Sequence, residues 1–149
     1  MDVNVRRATE EDATQLYGLM KQYIVDFYAK AEPEAQEVKA HIRYLLANPA
    51  TGLQFVAEEN GRLLGFATLY FSFSTLQLKR QAIMNDLFVT AEARGKKVGE
   101  KLFQACVSYT RVNDLAYMSW ETGRDNVRAQ AFYDKMGGLI SDQVYYEID

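Results

Sequence analysis

The spacing of apolar residues along the chain switches between a helical and an alternating period, and the switches mark out the elements. Val3 to Arg7 has the length and pattern of a short first strand. From Thr9 the period becomes helical. Leu16, Leu19, Met20, Tyr23, Ile24 and Phe27 recur three and four residues apart, behind a start at Thr9-Glu10-Glu11-Asp12 in which Thr9 can cap and Asp12 can reach back. A second helix, from about Pro33 to Leu46, gathers Val38, Ile42, Leu45 and Leu46. It stops at Asn48-Pro49, because the residue before a proline is biased out of the helical region.

The middle of the chain is strand-like. Leu53 to Glu58 and Leu63 to Phe73 flank Glu59-Asn60-Gly61-Arg62, whose Asn-Gly pair predicts a hairpin turn. A third long strand from about Arg80 to Val89 is apolar on both faces apart from Asn85 and Asp86, as expected of a central strand covered on each side. A glycine-bearing turn then leads into a helix reaching about Val112, with Leu102, Phe103, Cys106 and Tyr109 on its inner face. Tyr117 to Glu121 is predicted as a strand and Asn126 to Met136 as a helix ended by Gly137-Gly138. Gln143 to Ile148 is predicted as a last strand. No linker or repeat interrupts the pattern, so residues 1–149 are expected to form one mixed α/β domain of roughly six strands and four helices.

Composition narrows the function. A net charge of −3, from 17 basic and 20 acidic residues, lacks the basic excess of a nucleic-acid-binding domain. The cations near Arg94 to Lys101 are a local patch on an acidic protein, which suits a small anionic ligand. Cys106 is the only cysteine, so no intramolecular disulfide can form. The N-terminus has no apolar signal region, and the longest apolar stretch, Leu63 to Phe71, falls far short of a membrane span. A cytoplasmic location is expected, without membrane association. One histidine, His41, and one cysteine cannot supply a zinc ligand set, and no metal is expected.

The chemistry concentrates between Ile83 and Leu102. An apolar strand ending Asn85-Asp86-Leu87-Phe88-Val89 enters a basic turn, Arg94-Gly95-Lys96-Lys97-Val98-Gly99, which opens directly into a helix. The first N–H groups of a helix lack intrahelical partners, and the helix dipole adds partial positive charge there. Arg94, Lys96 and Lys97 add full charges, so the segment predicts a phosphorylated ligand held at a sheet edge.

These residues, with Asn126, Ala129, Phe132, Tyr133, Lys135 and Gly137, resemble the GCN5-related N-acetyltransferases, in element order over about residues 3–148 and in motifs over 83–138. The resemblance implies that family's fold, a mixed and mostly antiparallel sheet of six to seven strands flanked by about four helices. It also implies acetyl-CoA as cosubstrate. In the family the turn pattern is Arg or Gln, two residues, Gly, one residue, then Gly or Ala, and its backbone N–H groups hold the pyrophosphate. Arg94 and Gly99 match, while Lys97 stands where the central glycine belongs. Lysine suits that place if the residue has helical φ/ψ with its side chain turned outward. By the same resemblance Gly95, Lys96, Val98, Glu100, Asn126 and Ala129 contact the cofactor. Leu87, Phe88 and Val89 offer main-chain groups to the pantetheine arm, with a strand bulge aiming an N–H at the thioester carbonyl.

Acetyl transfer to an amine expels a thiolate. Tyr133, one helical turn beyond the Asn126–Ala129 segment, occupies the family's place for the acid that protonates it. The amine must first lose a proton, since an alkyl ammonium has a pKa of about 10.4. Asp86 and Glu121, on strands expected to be adjacent, could draw that proton through a water. Cys106 lies on a core face with no base nearby, which disfavours a nucleophilic role.

Leu69 to Thr75 and Asn85 to Val89 resemble the small-amine and diamine acetyltransferases, although Asn85 replaces the first of two successive acids found there. The alternatives are a protein-directed enzyme acting on lysine or an N-terminus, and a non-catalytic CoA-binding module. The segment from Asp26 to Glu37 is expected to border the acceptor site, with Tyr23, Phe27, Tyr28, Tyr70, Phe71 and Phe73 as candidate walls. The last strand could pair across two chains, making a homodimer.

Overall fold

Five strands form one sheet in chain order in the computed structural model, which describes residues 2–149. They are β1 (Asn4–Arg7), β2 (Gly52–Glu59), β3 (Arg62–Ser74), β4 (Lys79–Val89) and β5 (Met118–Ser119). The first four pair antiparallel and β5 joins β4 in parallel, which requires the crossover helix between them. Asn60 and Gly61 both take positive φ, 52° and 79°, so the predicted hairpin has the primed turn that matches strand twist.

Helices cover both faces. α1 (Ala13–Lys21) and α2 (Ala35–Ala47) lie on one side, where Leu16, Ile42, Val56 and Phe66 are fully buried. α3 (Val98–Val112) and α4 (Val127–Lys135) lie on the other, where Leu102 and Cys106 are fully buried against Ala67, Leu69 and Met84. Burial raises the Cys106 thiol to about 12, which suppresses the reactive thiolate. The N-terminal entry is tied down at Asp12. Its carboxylate accepts from the Thr9 N–H at 2.7 Å and from two Arg6 guanidinium nitrogens at 2.8 and 2.9 Å. Arg6 also donates to Glu58 at 2.8 Å, which binds β1, β2 and the helix start together.

Four features depart from the sequence-based expectations. A short 3₁₀ turn, Glu10–Asp12, precedes α1, and a π-helical turn, Gln22–Phe27, extends it. β5 is shorter than Tyr117–Glu121, because β4 and β5 hold together only at Ala82–Met118 and Ile83–Ser119 before diverging. The strand predicted at Gln143–Ile148 does not form. Val144, Tyr145, Tyr146 and Ile148 are 71–99% exposed, and the sheet has five strands, not six to seven. Those residues have strand-forming character but find no neighbouring strand within their own chain.

Candidate active site

The divergence of β4 from β5 opens a cleft of about 440 Å³ between the end of β4, the N-terminus of α3 and the exposed side of α4. Leu87, Phe88 and Val89 form one wall. They pair with Ala67, Phe66 and Gly65 on their β3 side, while β5 has already ended on the other. Main-chain groups on that second edge therefore face the cleft without a strand to bond, which is what an extended amide-bearing ligand needs.

A bulge sets which side chains face the cleft. Thr68 pairs with Asp86 but Leu69 pairs with Met84, so Asn85 is the extra residue on β4. Met84 packs in the α3 core, and strict alternation would send Asp86 there too. The inserted Asn85 turns Asp86 onto the α1 face instead, beside Tyr23, Tyr70 and Thr68. Desolvation there raises the Asp86 carboxyl, opposed by the hydroxyls of Thr68 and Tyr23 and the Asn85 amide, which donates at 3.1 Å. Burial, with the Asp86 charge second, raises Tyr70 to about 12 and pushes Tyr23 well above the ordinary phenol range. The Tyr70 hydroxyl reaches His41 on α2 at 2.8 Å, which carries this polar chain to the surface.

The π turn supplies the second wall. Its wider register closes Tyr28 N–H onto the Tyr23 carbonyl at 3.1 Å and brings Tyr23 and Phe27 onto the cleft. Tyr23 packs edge-on against Tyr28 and Phe66, with centroids 5.0 and 5.7 Å apart.

At the anion end, Arg94, Gly95, Lys97, Val98, Gly99 and Glu100 all line the cleft. Lys97 caps α3 with φ 61° and ψ 26°, left-handed backbone rather than the helical conformation expected. The glycine of the family pattern would hold this conformation without a Cβ penalty; the lysine does not. Lys96 turns the other way and meets Glu59 at 3.4 Å, so it does not line the cleft. Arg128 and Lys135 on α4 do line it, and Arg128 is a cation that the sequence pattern did not single out. Arg128 sits two residues past the Asn126 cap on an exposed helix face, where a solvated arginine carries no distinguishing signal.

Across the cleft, Asn126 caps α4 by accepting from the Ala129 N–H at 3.1 Å, and Asn126, Ala129 and Tyr133 all line the wall. Tyr133 is half-buried against Trp120 and Phe103, with centroids 5.3 and 6.0 Å away. Desolvation, then the nearby Tyr28, raises its phenol, so it stays protonated at neutral pH. The two expected bases stand apart from this wall. Asp86 lies behind Tyr23, and Glu121 is exposed in the loop two residues past β5; neither lines the cleft.

A parallel seam thus opens beside a helix N-terminus with a tyrosine opposite, and the comparisons give the class as an acyltransferase of the GNAT type. Residues 16–138 match the acetyltransferase (GNAT) family model, and the chain belongs to that family. It is 35% identical over 135 residues to the uncharacterized N-acetyltransferase YhfO of Bacillus subtilis, covering 91% of this chain and 89% of that protein. It is also 35% identical over 91 residues to the D-amino-acid N-acetyltransferase HPA3 of Saccharomyces cerevisiae, covering 60% of this chain and 55% of that one. A solved structure described as a probable acetyltransferase superposes with a TM-score of 0.85 at 31% identity, covering 98% of this chain and 95% of that one. The protein is thus an N-acetyltransferase, with acetyl-CoA the cosubstrate that the family implies. No helix among the described residues is long and apolar enough to cross a membrane.

Proposed function

We propose that the protein moves an acetyl group from acetyl-CoA directly to the primary amine of a small molecule, both bound at once in the cleft. The observation that carries this reading is the meeting, across one cleft, of an unpaired β4 edge, the cationic start of α3 and the Tyr133 hydroxyl. Four cations, Arg94, Lys97, Arg128 and Lys135, line it against one carboxylate, Glu100. That balance fits a pyrophosphate at the α3 end.

When bound, acetyl-CoA supplies an acyl group activated as a thioester. The residues of the chain then have separable tasks. Arg94, Lys97 and the first N–H groups of α3 hold the phosphates. The Leu87–Val89 edge aligns the arm, and an N–H there stabilises charge developing on the carbonyl oxygen. The amine nitrogen forms the new C–N bond as the C–S bond breaks. Its proton leaves toward Asp86 by way of the Tyr23 hydroxyl or a water, and the Tyr133 phenol gives its proton to the departing sulfur. Glu121, exposed in the loop past β5 and outside the cleft lining, is left the lesser task of attracting the ammonium form of the acceptor. Walls of Tyr23 and Phe27 favour a compact acceptor with an apolar portion, and they argue against a long peptide groove.

The test is release of CoA thiol over a panel of amino acids, diamines, aminoglycosides and lysine peptides. Turnover confined to small amines supports the reading. Turnover on peptides alone replaces it with protein acetylation. Saturable CoA binding with no release on any amine identifies a binding module instead.

A further inference from the structure

The turn that starts α3 is held by little of its own. Its main-chain bonds are long, 3.3 Å from the Arg94 N–H to the Ala91 carbonyl and 3.3 Å from the Lys96 N–H to the Ala93 carbonyl. Gly95 and Lys97 both take positive φ, 87° and 61°. At Gly95 that conformation is free, but a residue with a Cβ populates it roughly 5- to 30-fold less than the right-handed alternative. A flip of Lys97 to right-handed backbone would re-aim the N–H groups around it, and Lys97, Val98 and Gly99 all line the cleft.

The side chain between those two residues is tied to the β2–β3 hairpin. Lys96 Nζ lies 3.4 Å from Glu59 Oε1. Glu59 is the last residue of β2, paired across the ladder with Arg62 and fixed there by the Asn60-Gly61 turn. Its side chain is only 11% exposed, and its second oxygen, Oε2, is buried with no hydrogen-bond partner among the described residues. Burying half a carboxylate unpaired opposes folding, and an acid close to an anion site repels the anion. Neither stability nor attraction for an anion accounts for Glu59, which leaves the hold on Lys96 as its task. Arg62 makes a second tie, to Glu92 at 2.9 Å, but these side chains are 64 and 60% exposed, and such pairs contribute little.

We infer, resting on the acetyl-CoA reading above, that Glu59 is a positioning residue for the cofactor. By holding Lys96 it keeps the turn from Gly95 to Lys97, left-handed lysine included, in the form that receives a pyrophosphate. A glycine at position 97 would need no such tether, because glycine takes either hand about equally. The buried acid and the left-handed lysine are therefore two halves of one arrangement. Lys96, whose side chain stays outside the cleft lining, serves the anion site from behind it.

Titration calorimetry with CoA tests this without an acceptor amine, and the sign of the change is decisive. Glu59→Gln removes a negative charge close to a polyanion, so electrostatics alone predicts tighter binding. Loss of the tether predicts weaker binding, because affinity falls with the fraction of chains whose turn is in its receiving form. The expected result is a dissociation constant about fivefold higher or more in Glu59→Gln. Glu59→Asp keeps the charge and shortens the reach, so it should also bind more weakly; it decides the case in which the Gln variant fails to fold. In a Lys97→Gly background the effect of Glu59→Gln should shrink to less than about twofold, which a merely structural role for Glu59 would not produce. Unchanged or tighter binding in Glu59→Gln overturns the inference and leaves the cofactor reading intact, as does an equal loss in both backgrounds. A wild type that binds no CoA overturns the cofactor reading itself, and the inference with it.

Discussion

Asp86 pairs with Thr68 across the β3–β4 ladder, one step out of register with the Met84–Leu69 pair beside it. That slip places a carboxylate on the α1 face, behind the cleft wall and among hydroxyls. Asp86→Asn keeps the shape and removes the proposed base. Turnover should fall about 10²- to 10³-fold with acetyl-CoA binding unchanged, measured by steady-state kinetics and calorimetry. An unaltered rate would remove Asp86 from the proton path.

The same substitution should move stability in a pH-dependent way. Burial raises the folded-state carboxyl, so above the ordinary carboxylate pKa of about 4 the native state binds more protons than the unfolded chain. The wild type therefore loses stability as pH climbs from there through the raised value. Asp86→Asn escapes that loss. Its melting temperature relative to wild type should be higher at pH 7 than at pH 4.

Tyr133→Phe removes the hydroxyl proposed to protonate the leaving sulfur and leaves the ring packing on Trp120 and Phe103. A drop in kcat of about 10²-fold or more is expected, with little change in KM for acetyl-CoA. Because burial raises this phenol, the wild-type rate should show no falling limb from loss of the acid below pH about 10.

Lys97 holds left-handed backbone with a side chain attached. Lys97→Gly should stabilise the fold by about 1 kcal/mol, a rise of roughly 2–4 °C in melting temperature. Lys97→Ala removes the charge without relieving the backbone, and should weaken acetyl-CoA binding with no gain in stability. Equal melting temperatures for the two variants would show that backbone strain is not what separates them.

Asp12 is buried and accepts four hydrogen bonds, and the Arg6 guanidinium holds its carboxyl below the usual range. Asp12→Ala should cost about 2 kcal/mol in denaturant unfolding at pH 7. The contribution is present above the unfolded-chain pKa and fades as pH falls through the lower folded value. Wild type and variant should therefore converge in strongly acidic solution.

Much of this architecture is legible in the residues. Periodicity locates every helix to within a few positions, because Leu16, Ile42 and Leu102 are buried at the spacing that their helices require. The Asn60-Gly61 turn and the Asn126 cap are local chemistry and need no partner from elsewhere. Thirteen positions were expected to contact the cofactor, and all but Lys96 line the cleft. The Lys96 side chain turns away because consecutive residues of a turn point apart, and Glu59, 37 positions earlier, holds it at 3.4 Å. The Asn85 slip and the π turn are invisible to pattern reading, since each is one residue out of period and only tertiary packing decides where it falls. Gln143 to Ile148 has strand character and forms no strand, because pairing needs an edge as well as a propensity.

The π turn and the Asn85 bulge are the same kind of event in two different elements. Each holds one residue more than its repeat allows, and they meet where Tyr23 covers Asp86. A chain lacking both surplus residues would have a straighter helix and a smoother ladder, with every backbone group in its regular place. It would also aim Tyr23 and Asp86 away from each other. The two surplus residues thus trade regular backbone for the meeting of one phenol and one carboxylate beside the cleft.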